Sequence, residues 1–262
     1  MFLKHLSLQN FRSYTKADFD FNRSTTLIVG PNTSGKTNLI EAIHILATGK
    51  SFRAEKEIEI IEFGKEVGRV RGEIEAFSQV KHLEVVISRQ VKKYLVNGIA
   101  RRRADFAGNF VVVLFSPIDL EIIVDSPSLR RQFLDNVLEQ IDKAYRTALV
   151  TYGKALRQRN ALLELAQEKG LRDEKHFAYW DSILIEHGGI ITKKREELIG
   201  YFNEHEKEVF DFTVFYDKSI MSKERLLQYK EAEVAAELRL LVHIGTILQS
   251  TCLTIEGTQH TI

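Results

Sequence analysis

The sequence predicts an α/β protein: a β-rich region to about residue 117, then a mainly helical region. Three observations carry this. Gly30-Pro31-Asn32-Thr33-Ser34-Gly35-Lys36-Thr37 has the G-x-x-x-x-G-K-T spacing of a phosphate-binding loop. Residues 67–115 are rich in short apolar and alternating runs of strand type. From Ser126-Pro127 onward, apolar residues recur at helical spacing instead.

Taken in order, residues 2–29 read as two or three strands. Leu6, Leu8 and Phe11 come first, then Phe19 and Phe21 alternating with acids. The β-branched run Thr25-Thr26-Leu27-Ile28-Val29 is the strand from which the loop should leave. In the loop, Gly30 and Gly35 let successive N–H groups point inward at phosphates. Lys36 places a cation on the β/γ-phosphates, and the Thr37 hydroxyl can join a magnesium shell. A helix over 36–47 should follow, with Leu39, Ile40, Ile43, Leu46 and Ala47 as its apolar stripe and Gly49 as its C-cap. Its N-terminus would aim a dipole at a nucleotide. These residues imply a nucleoside triphosphate as ligand.

Residues 50–66 are charged and irregular, and 67–77 and 81–89 read as successive strands. Asn97-Gly98 predicts a tight hairpin turn. The run Phe110 to Phe115 predicts a strand buried on both faces. Ser126-Pro127 then opens a helix, with Leu129, Phe133, Leu134, Val137, Leu138 and Ile141 at helical spacing. Further helices fit 143–167 and about 177–210. The expected division is 1–117, 118–238 and an atypical tail at 239–262.

Composition narrows the class. Of 262 residues, 44% are hydrophobic and 28% charged, as in ordinary globular proteins. The longest wholly apolar run, Phe110 to Phe115, is too short to span a bilayer. The N-terminal Met1-Phe2-Leu3-Lys4-His5 lacks a signal peptide's apolar core. Cys252 alone excludes an internal disulfide framework and fits a reducing cytoplasm. The eight histidines are scattered without metal-ligand spacing.

A net charge of +1 argues neither for nor against nucleic acid, so any such case rests on where the charges sit. Seven Lys/Arg lie from Lys81 to Arg103, among them Arg101 and Arg102, against the single acid Glu84. Five more lie from Lys143 to Arg159 with no acid. On a helix, Lys143, Arg146, Lys154 and Arg157 share a face away from the apolar stripe, and Arg159 falls near the stripe and should pair internally. Such faces suit a phosphate backbone, and equally suit plain solvation.

Several separated motifs resemble one family. Leu6-Ser7-Leu8-Gln9-Asn10-Phe11-Arg12, then Val29 through Gly35-Lys36-Thr37-Asn38-Leu39-Ile40-Glu41-Ala42, resembles the RecF and SMC class of DNA-repair ATPases. Gly49-Lys50-Ser51-Phe52-Arg53, Leu114-Phe115-Ser116-Pro117-Ile118-Asp119-Leu120 and Arg130-Arg131-Gln132-Phe133-Leu134-Asp135 resemble the RecF branch. Tyr152 through Leu156-Arg157-Gln158-Arg159-Asn160-Ala161-Leu162-Leu163 continues the match, to about residue 216. The resemblance implies an ABC-type P-loop ATPase head, a mixed-sheet lobe with an inserted mainly helical lobe. It further implies ATP and Mg as cofactors, an ATP-dependent homodimer around DNA, and RecR and RecO as partners in recombinase loading, repair and the SOS response.

Three departures stand out. Thr33 replaces a usual glycine, and Ile118 a usual acid. The family's Leu-Ser-x-Gly-Gln signature, acidic Walker B strand and Gly-Pro-His-Arg-Asp-Asp segment do not occur in these 262 residues. Residues 240–262 carry one acid, Glu256, and no Lys or Arg, which a shifted or shortened reading frame would explain. Nucleotide contact with little hydrolysis is therefore expected. Two other classes stay open: an ATPase serving a nuclease of the overcoming-lysogenization type, and a small-molecule P-loop kinase. The first lacks an acidic metal cluster after the head, and the second would show alternating βα units.

Overall fold

The computed structural model describes residues 1–76, 79–124, 127–169, 174–206, 212–216, 224, 226 and 253–257. They divide into two compact units, Met1–Leu114 with Glu139–Lys143, and Phe115–Leu138 with the rest of the chain from Ala144.

The first unit is built on hairpins. β1 (Phe2–Phe11), β2 (Tyr14–Asp20), β3 (Val67–Ala76), β4 (Gln79–Ser88), β5 (Lys92–Val96) and β6 (Ile99–Arg101) form one sheet in the order β2-β1-β3-β4-β5-β6. Every pairing in it is antiparallel. Alternation puts Val70 and Ile74 of β3 and Leu83, Val85 and Ile87 of β4 on the covered face. On β1 the buried positions are Leu3, Leu6, Leu8 and Phe11, and the three-residue step from Leu3 to Leu6 coincides with a register shift at Leu3/His5. The Asn97-Gly98 turn has φ of 51° and 76°, the two left-handed positions that a type I′ hairpin requires.

Helix α1 (Lys36–Thr48) covers that face. It comes so close that a Cβ on Gly72 would stand 2.5 Å from Leu46 Cδ1. The stripe is rotated from the expected one. Leu39, Leu46 and Ala47 are buried as predicted, but Glu41, Ala42 and Ile45 join them, while Ile40 is exposed and Ile43 only half-buried. Sequence ranked apolar residues onto the covered face; the helix instead buries a carboxylate that has ion-pair partners there. Gly49 ends the helix as expected, its N–H donating to Ile45 O at 2.8 Å.

Two expected strands do not form. Residues 25–29 make no strand among the described residues, and Leu27 and Val29 are 82% and 76% exposed. Residues 111–115 are likewise unpaired, so 110–115 is not a strand buried on both faces. Phe110 is buried and Val112 half-buried, whereas Val113 is 95% exposed. The amides of Val111 and Val112 meet side-chain atoms, Met1 Sδ at 3.4 Å and Gln140 Oε1 at 2.9 Å, rather than a neighbouring strand. A β-branched run becomes a strand only where another strand can complete its ladder.

After single helical turns α2 (Arg103–Phe106) and α3 (Glu121–Val124), the second unit is helical: α4 (Pro127–Ile141), α5 (Lys143–Lys169) and α6 (Glu174–Glu204). Ser126, the expected cap, and residues 207–210 of the third expected helix lie outside the described residues. Tyr145, Ala148, Tyr152 and Ala155 of α5 pack with Leu184 and Ile191 of α6 and Leu134 and Leu138 of α4. Strands β7 (Phe212–Tyr216) and β8 (Leu253–Gly257) pair antiparallel. Of the expected atypical tail only residues 253–257 are described. Among the described residues no helix is long and apolar enough to cross a membrane.

Candidate nucleotide site

The eight loop residues connect the extended stretch 25–29 to α1, and all but Gly35 and Lys36 are exposed. Gly35 has φ of 95°, and a Cβ there would lie 2.8 Å from the Tyr14 hydroxyl, so this position accepts glycine on two counts. Tyr14 donates to Gly35 O at 3.2 Å, fixing the loop's exit against the start of β2. No side chain caps α1, and its first intrahelical bond runs from Leu39 N to Gly35 O at 3.0 Å. The preceding N–H groups of the first turn are therefore directed toward the loop, the arrangement that receives an anion.

Lys36 folds back over this loop, donating through Nζ to Gly30 O at 2.8 Å and Pro31 O at 2.6 Å. Phosphate oxygens would exchange with these carbonyls for the same ammonium. Thr33 sits at φ of 69°, a left-handed conformation unusual for a β-branched residue. Thr37 is exposed in the first helical turn, and its single hydroxyl suits a magnesium ion held chiefly by nucleotide oxygens and water. Among the described residues no group of three or more His, Cys, Asp or Glu could hold a metal by itself.

A charged network missed by sequence reasoning lies beside the loop. Glu41, 0% exposed, accepts from Arg12 Nη2 at 2.7 Å and from Arg53 Nε at 2.9 Å, with Ser51 Oγ also donating to it. Burial alone would push its carboxyl up, but the hydrogen bonds from Arg12, Ser51 and Arg53 outweigh burial and hold it below the usual range. The available signal was an acid one residue before Ala42, on the apolar side of the helix.

The predicted basic surface is partly dismantled. Arg101 and Arg102 are exposed, as are Lys154 and Arg157 on α5. Lys143 is exposed and paired with Asp105 at 2.7 Å. Lys92 and Arg103, from the same cluster, are drawn into ion pairs with Glu57 and Glu139 at 2.5 and 2.9 Å. Arg146 is only 7% exposed, so it leaves the solvent face assigned to it. It directly follows the buried Tyr145, and helix packing extends the covered face by that one position. Arg159 does pair internally, with Asp181 at 2.7 Å. His44 is structural, its ring edge-on to Phe52 and Nδ1 3.0 Å from Lys50 O.

The RecF/RecN/SMC N terminal domain family matches residues 2–116. The DNA replication and repair protein RecF of Leptospira interrogans is 34% identical over 252 residues, which cover 92% of this chain and 68% of that relative. The chain belongs to the RecF family. The RecF of Shouchella clausii is 36% identical over 205 residues, 78% of this chain, and the match spans 55% of that relative's length. A solved RecF structure, the recombination mediator protein RecF-ATP in the RecFOR pathway, superposes with a TM-score of 0.77 at 30% identity. It covers 98% of this chain and 72% of the solved one. The solved RecF structure and this chain thus share the ABC-type head with its sheet and helical parts.

Proposed function

We propose that this chain is the ATP-binding head of a RecF-type DNA replication and repair protein. The observation that carries this reading is the loop itself: Lys36 and the uncapped first turn of α1 face the same exposed loop, with Gly35 giving the backbone its turn. Gly30, Pro31, Asn32, Thr33, Ser34 and Gly35 would wrap the phosphates, Lys36 would neutralise them, and Thr37 would complete the magnesium shell. The RecF relative solved with ATP supports the ligand.

DNA is the second ligand of this reading. Arg101, Arg102, Lys143, Lys154 and Arg157 remain exposed cations that suit phosphate contacts without base reading. Family membership supports extending this reading to ATP-dependent homodimerisation and to RecR and RecO as partners in recombinase loading and SOS induction. The signature motif and an acidic strand to orient water do not occur in these 262 residues, so the activity assigned to them is nucleotide binding.

The test is an equilibrium titration with a fluorescent ATP analogue. Lys36→Ala is expected to abolish binding at concentrations that saturate the unmodified chain. Equal affinity in the two proteins overturns the loop assignment.

A further inference from the structure

The network around Glu41 is larger than a brace requires. Glu41 follows Thr37 by four residues on α1, so the two share a helix face. Arg12 grips the carboxylate as a fork, Nη2 to Oε1 at 2.7 Å and Nε to Oε2 at 2.9 Å. Its remaining donor, Nη1, reaches Glu59 O at 2.6 Å. That one arginine already satisfies a buried acid.

A second arginine nevertheless joins. Arg53 donates Nε to Glu41 Oε2 at 2.9 Å, and its Nη2 continues past the carboxylate to Asn38 Oδ1 in the first turn of α1. Asn38 in turn donates to Ser13 Oγ at 2.8 Å. The chain from Ser13 through Asn38, Arg53 and Glu41 to Arg12 thus surrounds the N-terminal turn of the helix that starts at Lys36. Two guanidinium groups against one carboxylate leave excess positive charge there. Arg53 keeps 36% of its side chain exposed, while Glu41 keeps none. Arg12 holds its place at φ of 50°, a left-handed strain that persists only where surrounding contacts enforce it.

We propose that Glu41 is a positioning residue for the triphosphate: it fixes the guanidinium groups of Arg12 and Arg53 beside the first turn of α1, so that nucleotide affinity depends on a carboxylate that never touches the ligand. This rests on the ATP-binding reading above. Loss of the fixed placement of two cations acts most on the most highly charged ligand, so ATP should be affected more than ADP. Groups that orient the ligands of a metal alter affinity by about ten- to a hundredfold, and the lower end of that range is the expectation here.

Glu41→Gln keeps the side chain's size and removes its charge. The expected result is about a tenfold loss of ATP affinity by titration, a smaller loss for ADP, and partial recovery in Glu41→Asp. A lower Tm with ATP and ADP affinities unchanged, or reduced by one common factor, overturns the proposal and leaves Glu41 a structural brace. Should Glu41→Gln fail to fold, Arg53→Gln leaves the Glu41–Arg12 fork intact and must show the same ATP-selective loss; equal affinity there also overturns it. The two readings fail separately. Wild-type chain that binds no ATP sinks both, whereas ATP binding lost in Lys36→Ala but kept in Glu41→Gln and Arg53→Gln sinks this one alone.

Discussion

Within the first unit, β1, β3 and β4 and the stretches 25–29 and 111–114 are built from the same apolar and β-branched residues, yet they end in opposite environments. Leu6, Leu8, Val70, Ile74 and Val85 are wholly buried, and Leu27 and Val113 stand 82% and 95% exposed. What separates them is pairing. Each strand of the six-stranded sheet has a hydrogen-bonded neighbour, and β3, β4, β5 and β6 meet theirs through short turns. The stretches at 25–29 and 111–114 have none among the described residues. Hydrophobic composition sets the tendency to be covered, and the ladder partner decides whether covering happens.

The comparison breaks most readily in the core. Leu8→Ala should destabilise by about 3 kcal/mol, the cost of lost transfer energy plus a cavity. Leu27→Ala should change stability by less than about 0.5 kcal/mol, because an exposed side chain leaves neither. Denaturant unfolding of both variants is the check, and equal losses would mean that pairing does not separate the two environments.

Glu139 sharpens it from the electrostatic side. Its carboxylate is 5% exposed and receives Arg103 at 2.9 Å and Lys50 at 3.1 Å. Burial would raise it, but the bonds from Arg103 and the charge of Lys50 prevail and lower it from 4.5. Glu139→Gln should cost about 3 kcal/mol at neutral pH by leaving two cations unmatched. The sign with pH follows from the lowered value. The pair's contribution is complete above pH 4.5 and is lost as pH falls through the lower folded-state value. Tm measured from neutrality downward should therefore drop less steeply below that point in Glu139→Gln than in the unmodified chain.

Smaller effects are expected at the loop and on the surface. Thr33→Gly removes left-handed strain and should stabilise by at most about 1 kcal/mol, read as a rise in Tm. Lys154→Ala should leave Tm nearly unchanged while lowering the salt slope of DNA binding by about one. Arg146→Ala, at a buried position, should do the reverse and lower Tm.

Much of the architecture was legible in the chain. Helical period and capping located α1 to within a residue of its end, and Asn97-Gly98 marked the β5–β6 turn. The loop of residues 30–37 was visible as spacing alone, because its members are consecutive in the chain. The Glu41 network was not, since its members come from three separate segments and no periodicity joins Arg12, Glu41 and Arg53. The basic clusters were legible as counts, but not as surfaces: Lys92, Arg103 and Arg146 all look like free cations until their neighbours are placed.

The sequence by itself determined the local events, where hydrogen bonds close within a few residues: the helices, the type I′ turn, and the glycine-bounded loop that leads into α1. Only the tertiary structure decided which apolar runs were paired, which cations faced water, and that a buried carboxylate would tie two arginines to the start of α1. Those outcomes depend on which distant segments meet, and the free energy of a ladder, an ion pair or a covered face exists only once both partners are in place.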